Sequence, residues 1–163
     1  MVGDIVGRNA RRAVRLLVPQ LRQSHGIDLV IANGENAAGG RGLTPATAAE
    51  IFAGEVDVIT SGNHIWDQRE IIPYLDSESR VLRPLNYPPA VPGHGHVTVK
   101  GVLVVNLSGR VFIGNYDDPF RAVDDLLAKQ SARPQAVVVD LHAEATSEKV
   151  VFGFYVDGRV SAP

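Results

Sequence analysis

The stretch Leu29-Val-Ile-Ala-Asn-Gly-Glu-Asn36 runs from four apolar residues straight into polar and small ones. A short continuous apolar run that ends this abruptly has the profile of a strand buried on both faces. The same profile returns at Val56 to Thr60 before Ser61-Gly62, at Leu103 to Val105 before Asn106, and at Ala136 to Val139 before Asp140. Each of these strands therefore opens into polar residues at its C-terminal end. In open α/β sheets that edge is where ligands bind.

Helical patterns lie between the strands, so the alternation predicts an α/β fold. Ala10, Ala13, Val14, Leu17 and Leu21 recur at helical spacing among arginines and predict one apolar stripe, which Pro19 should kink or break. Thr44-Pro45 reads as an N-cap with proline at the first helical position, opening a helix that reaches Ala53. Further helices are expected over Asp67 to Leu75, Pro119 to Lys129 and Thr146 to Val156, the last ended by Gly158. Residues 84–96, rich in proline and glycine, read as an ordered loop.

Residues 1–163 fit a single domain, and 45% hydrophobic with 21% charged residues is globular composition. The absence of cysteine excludes a disulfide framework and thiolate metal sites. No apolar run approaches the ~20 residues that cross a bilayer, and no signal-peptide core follows Asp4. A net charge of −2 argues against bulk binding of nucleic acid. The expectation is a soluble, cytoplasmic protein. Both ends read as clipped: Asp4 follows too few residues for a full strand, and the segment after Arg159 stops at Pro163.

Four polar clusters sit at strand ends: Gly3-Asp4, Gly34-Glu35-Asn36, Gly62-Asn63-His64 and His142-Ala-Glu144. Together they offer carboxylate, carboxamide and imidazole donors, the set that a pair of divalent metals takes. Glycine beside them lets the backbone approach closely. Singly, each has a plainer reading. Asn33-Gly34 is a common turn, Asp4 a solvated carboxylate or cap, and His64 or His142 a hydrogen-bonded structural histidine. Their joint appearance at successive strand ends favours a metal site. Glu144 and Glu148 read as dipole partners of a helix start, and Arg8, Arg11, Arg12 and Arg15 as a solvated face. Trp66 reads as packing, and His94 with His96 lacks a third ligand. Neither a G-x-S-x-G elbow nor a Walker-type loop occurs.

Gly3-Asp-Ile-Val-Gly7, Asn33-Gly-Glu-Asn36, Ser61-Gly-Asn-His-Ile-Trp-Asp67 and His142-Ala-Glu-Ala-Thr-Ser-Glu-Lys149 resemble the signatures of the YmdB-like metallophosphoesterases, in one order along essentially the whole chain. Arg83-Pro84, Asn106-Leu-Ser-Gly-Arg110 and Asp117-Asp-Pro-Phe120 support the resemblance. It implies a calcineurin-like β-sandwich flanked by helices, incomplete here at the C-terminus, with two divalent metals at the strand ends. The implied activity is hydrolysis of phosphodiesters such as 2′,3′-cyclic nucleotides. By resemblance Asp4 serves the first metal, Glu35 bridges the two, Asn36 joins that cluster, and Asn63 and His142 serve the second metal. His64 matches the histidine beside the substrate phosphate. Val6 stands where many calcineurin-like enzymes carry a metal-binding histidine, a departure shared by this branch.

With mixed nitrogen and oxygen ligands, iron or manganese is the expected occupant, with zinc a third candidate. The family continues into a Gly-Thr-His-Thr-His motif that completes the metal pair, and this chain stops before it. A second class of function therefore stays open, a non-catalytic nucleotide- or metal-binding regulatory protein lacking those C-terminal histidines. A homo-oligomer that covers exposed sheet surface is a further expectation.

Overall fold

The structure is a computed structural model that describes residues 1–130 and 133–163. In chain order it forms α1 (Gly7–His25), β1 (Ile31–Asn33), α2 (Pro45–Phe52), β2 (Val58–Thr60), a short 3₁₀ helix (Asn63–Trp66) and α3 (Ile71–Ser77). There follow β3 (His96–Val99), β4 (Val102–Ser108), α4 (Pro119–Ala128), β5 (Ala136–His142) and α5 (Thr146–Val156). β1 and β2 pair in parallel, with Ile31 opposite Val58 and Asn33 opposite Thr60. β4 lies between antiparallel β3 and parallel β5, placing Asn106 opposite Asp140 and Ser108 opposite His142. Single bridges extend these ladders from Val2 to Ala32, from Ile59 to Val81 and from Val138 to Ala162.

The period-2 alternation of strand side chains explains the apolar runs. Ile31, Val58, Leu82 and Val104 meet in one buried cluster, with Val97, Val102 and Val138 packed against it. Their neighbours Val30, Ala32 and Ile59 point the other way, into a core shared with Val14 and Val18 of α1, Ile51 of α2 and Leu75 of α3. On the far side Leu103, Val105, Val137 and Val139 pack with Val123 of α4 and Phe152 of α5. The molecule is thus two sheets face to face with helices outside each. This is the expected sandwich flanked by helices.

Three local expectations change. α1 runs without interruption from Gly7 to His25, because a proline at position 19 removes only one hydrogen bond while Val14 and Val18 hold that turn against the core. Its buried seam also differs from the predicted stripe, leaving Leu17 and Leu21 53% and 48% exposed. The rotation is set by two arginines. Arg11 reaches the Ala37 carbonyl and Glu50, and Arg22 donates to the Glu55 and Asp28 carbonyls at 2.5 and 2.6 Å. The helix expected from Asp67 begins only at Ile71, the chain before it being taken up by the 3₁₀ helix. β3 had no apolar signature because its residues are alternately exposed and half-buried, as on a lightly covered strand. Among the described residues no helix is long and apolar enough to cross a membrane.

Candidate metal centre

The inner faces of the two sheets change character along the strands. Two residues beyond Ile31, Val58, Val104 and Val138 stand Asn33, Thr60, Asn106 and Asp140, so the apolar interface ends in a polar layer. The Thr60 hydroxyl donates to Asp140 Oδ2 at 2.5 Å, and the Asn33 side chain shares the same carboxyl. Asn106 Nδ2 donates to the Ser61 and Leu82 carbonyls at 2.9 and 3.1 Å. Burial pushes the Asp140 carboxyl above its ordinary pKa, against the lowering pull of Thr60, His142 and Asn33. The sequence marked these four residues as the polar ends of buried strands, but nothing in it showed that they bond to one another across the sheets.

One step beyond the layer, the strand ends converge. Glu35 follows β1 and is only 4% exposed. His142 is the last residue of β5, and its Nδ1 lies 3.2 Å from Glu35 Oε1. The other ring nitrogen, Nε2, lies 2.9 Å from Oδ1 of Asn63, the first residue of the 3₁₀ helix. Gly62 makes the approach possible, since a Cβ there would collide with both the Glu35 carboxylate and the His142 ring. The net effect on Glu35 is a raised pKa. Burial dominates and Asp4 adds to it, while His142, the His64 backbone N–H and the His64 side chain pull the other way.

Asp4 and Asn36 form a second pair at the same edge. Asn36 Nδ2 donates to Asp4 Oδ1 at 3.0 Å, and the chain is fixed here by Ile5 N–H donating to the Asn33 carbonyl at 2.9 Å. Asp4 holds a positive φ of 22°, a conformation that is strained for a residue with a Cβ. His64 meets Glu35 through its backbone, N–H to Oε2 at 3.3 Å. Its ring turns toward Asp67, with Nδ1 2.8 Å from Oδ2, and Arg41 Nε lies 2.7 Å from the same oxygen. Nδ1 bonded to Asp67 leaves Nε2 without a partner among the described residues. The sequence reading placed Asp67 at the start of an expected helix and inside the Ser61 to Asp67 motif, with no side-chain role, and singled out Arg41 for nothing.

The other candidates fall elsewhere. Trp66 packs edge-on against Tyr87 at 5.7 Å between ring centroids, beside the core under the helices. His96 begins β3 opposite Val105, and His94 bridges Leu82, so neither joins the cluster. Glu144 is exposed. Glu148 does more than complement a helix dipole: its Oε1 accepts from Arg110 N–H at 2.8 Å, tying the loop after β4 to α5.

The residues present fit a divalent cation by their chemistry. A buried carboxylate, an imidazole and a carboxamide oxygen converge where a glycine leaves room. Among the described residues no group of three or more His, Cys, Asp or Glu side chains gathers as a metal cluster. The amide oxygens of Asn63 and Asn36 would have to complete any such set.

Residues 1–163 match, over their full extent, the family described as YmdB-like protein. The chain belongs to that family. This YmdB-like chain is 42% identical over 165 residues to a Bacillus subtilis protein named 2′,3′-cyclic-nucleotide 2′-phosphodiesterase, covering 99% of the chain and 62% of that protein. It also resembles the crystal structure of a hypothetical protein from Thermus thermophilus, with a TM-score of 0.90, 46% identity, and coverage of 98% of this chain and 63% of that one. A Mycoplasma pneumoniae structure described as a novel phosphatase follows at a TM-score of 0.87 and 30% identity, with coverage of 98% and 59%. The chain therefore spans 62% of the length of the curated Bacillus relative.

Proposed function

We propose that this chain carries the main part of a metal-dependent phosphodiesterase site acting on small phosphodiesters such as 2′,3′-cyclic nucleotides. The observation that carries this reading is the convergence of Glu35, His142 and Asn63, delivered by three separate strand ends to one point. The activity named for the 42%-identical Bacillus relative supports the substrate class. Glu35, Asn63 and His142, with Asp4 and Asn36 beside them, would hold the cations. Two ions, iron or manganese in the first place and zinc as a third candidate, suit this nitrogen and oxygen set. When bound, such ions neutralise charge on the phosphoryl oxygens and make water acidic enough to attack near neutral pH.

The chain's own part in the reaction is proton and charge placement. His64, oriented by Asp67 through Nδ1, keeps Nε2 for donation to the leaving oxygen. Arg41, fixed on the same carboxylate, adds positive charge beside the departing group. A cytoplasmic setting and a homo-oligomeric assembly belong to the same proposal.

The test is manganese titration by calorimetry on the chain and its Glu35→Gln variant, followed by a hydrolysis assay on 2′,3′-cyclic AMP. Saturable uptake that Glu35→Gln weakens by about tenfold or more, with product formation, supports the reading. Equal uptake by both forms overturns it. Uptake of metal and nucleotide without product selects the second reading, a binding and regulatory protein. The lack of a three-residue cluster of His, Asp or Glu among the described residues favours that alternative.

A further inference from the structure

The first two turns and a half of α1 carry Arg8, Arg11, Arg12 and Arg15, which with Asn9 and with Glu50 of α2 line a hollow of about 700 Å³. Glu50 is the one carboxylate in that lining, and Arg11 takes it at 2.7 Å. The remaining arginines have no hydrogen-bonded or ion-paired partner among the described residues. Arg8 and Arg15 both act on Glu50 electrostatically along with Arg11, so the guanidinium groups crowd around a single negative charge. Four positive charges against one, in a chain whose net charge is −2, make a local field that the whole-molecule charge conceals.

The hollow adjoins the candidate metal centre. Gly7 N–H donates to the Asn36 carbonyl at 3.0 Å, and Arg11 reaches the carbonyl of Ala37, the next residue in that loop. Arg8 therefore stands at the edge of the centre, and Arg12 and Arg15 lead away from it over about 10 Å of helix. The first turn of α1 holds no acidic residue and its N-cap makes no side-chain hydrogen bond, so no side chain of the helix's own first turn offsets its positive end.

We propose that this arginine row binds the phosphates of a short single-stranded oligonucleotide whose terminal phosphodiester lies at the candidate metal centre. This deepens the phosphodiesterase reading: the substrate extends beyond one nucleotide and is recognised along its backbone. Exposed Arg8, Arg12 and Arg15 can each face one phosphate, which is binding without base readout. It is also distinct from bulk nucleic-acid binding, which a negatively charged chain does not support.

The test needs no metal and no turnover. Anisotropy of a labelled oligoribonucleotide of about six nucleotides is measured in chelator across a salt series. Three phosphate contacts on a single strand give a log–log salt slope of about −2, roughly a fifteenfold loss of affinity between 50 and 200 mM salt. The double variant Arg12→Gln, Arg15→Gln, checked for folding by circular dichroism, should lower the slope to about −0.7 and that loss to about threefold. The same arginine variant should take up manganese as the wild type does in the calorimetric titration, which separates this proposal from the metal reading. Three results would overturn it: an unaltered slope in the arginine variant, a mononucleotide that competes as well as the oligonucleotide, or equal binding of an oligoglutamate probe.

Discussion

The Thr60 hydroxyl and the Asp140 carboxylate meet at 2.5 Å across the interface between the two sheets. Thr60 ends β2, and Asp140 lies two residues before the end of β5. The bond thus ties together the strands that deliver Asn63 and His142, while Asn33, two residues before Glu35, joins the same carboxyl. A buried group of this kind is costly unless every partner is in place. We expect Thr60→Val and Asp140→Asn each to destabilise the fold by about 1–3 kcal/mol. In a double-mutant cycle read by urea unfolding, their coupling should exceed about 0.5 kcal/mol, and strictly additive effects would count against a shared bond.

Gly62 has no tolerance for a side chain, because a Cβ meets both Glu35 and His142. Gly62→Ala should part that pair and weaken manganese binding by about 10- to 100-fold, the usual cost of disturbing residues that orient ligands. Calorimetric titration checks it. Wild-type affinity in a folded variant would show that the Glu35–His142 approach is unimportant for binding.

Asp57 clamps the end of the sandwich away from the site, accepting from Val30 N–H at 2.8 Å and pairing with Arg22 at 2.9 Å and Lys100 at 2.9 Å. Burial tends to raise its pKa, but Lys100, the Val30 amide and Arg22 together hold it below the ordinary carboxylate value. A depressed folded pKa means that this stabilisation is complete above the unfolded value of about 3.9 and disappears as pH falls through the lower folded value. Asp57→Asn should therefore be less stable than wild type at pH 7 by about 2 kcal/mol, the gap closing below about pH 4. Thermal midpoints followed from pH 7 to pH 3 test the sign.

Glu148 holds the backbone of Arg110 at 2.8 Å and that of Val111 at 3.4 Å, in the loop that leaves β4 beside the candidate centre. Glu148→Ala should release both amides and raise their hydrogen-exchange rates, with β4 itself remaining protected. Unchanged exchange at Arg110 would mean that the loop is held by other contacts.

How much of this was legible beforehand follows from which signals are local. Burial on both faces leaves a strand no polar option, so Ile31, Val58, Val104 and Val138 announced their strands, and the first polar residue after each marked the site edge. The capping box of Thr44 and Thr47 is likewise a contact within one turn, and α2 begins where the sequence placed it. The identities of Asp4, Glu35, Asn36, Asn63, His64 and His142 also stood in the sequence, because donor chemistry belongs to the residue itself.

The tertiary structure alone decided which of them meet. Glu35 and His142 come together only because two sheets stack with their polar ends aligned, and that alignment depends on bonds such as Thr60 to Asp140 between distant segments. The rotation of α1 was equally out of reach. Arg11 and Arg22 turn inward to satisfy carbonyls of loops that the helix meets only in the folded chain, and Leu17 and Leu21 are left outside as a result. Hydropathy pattern records how apolar a side chain is, whereas the seam of a helix is chosen by whichever groups its neighbours leave unpaired.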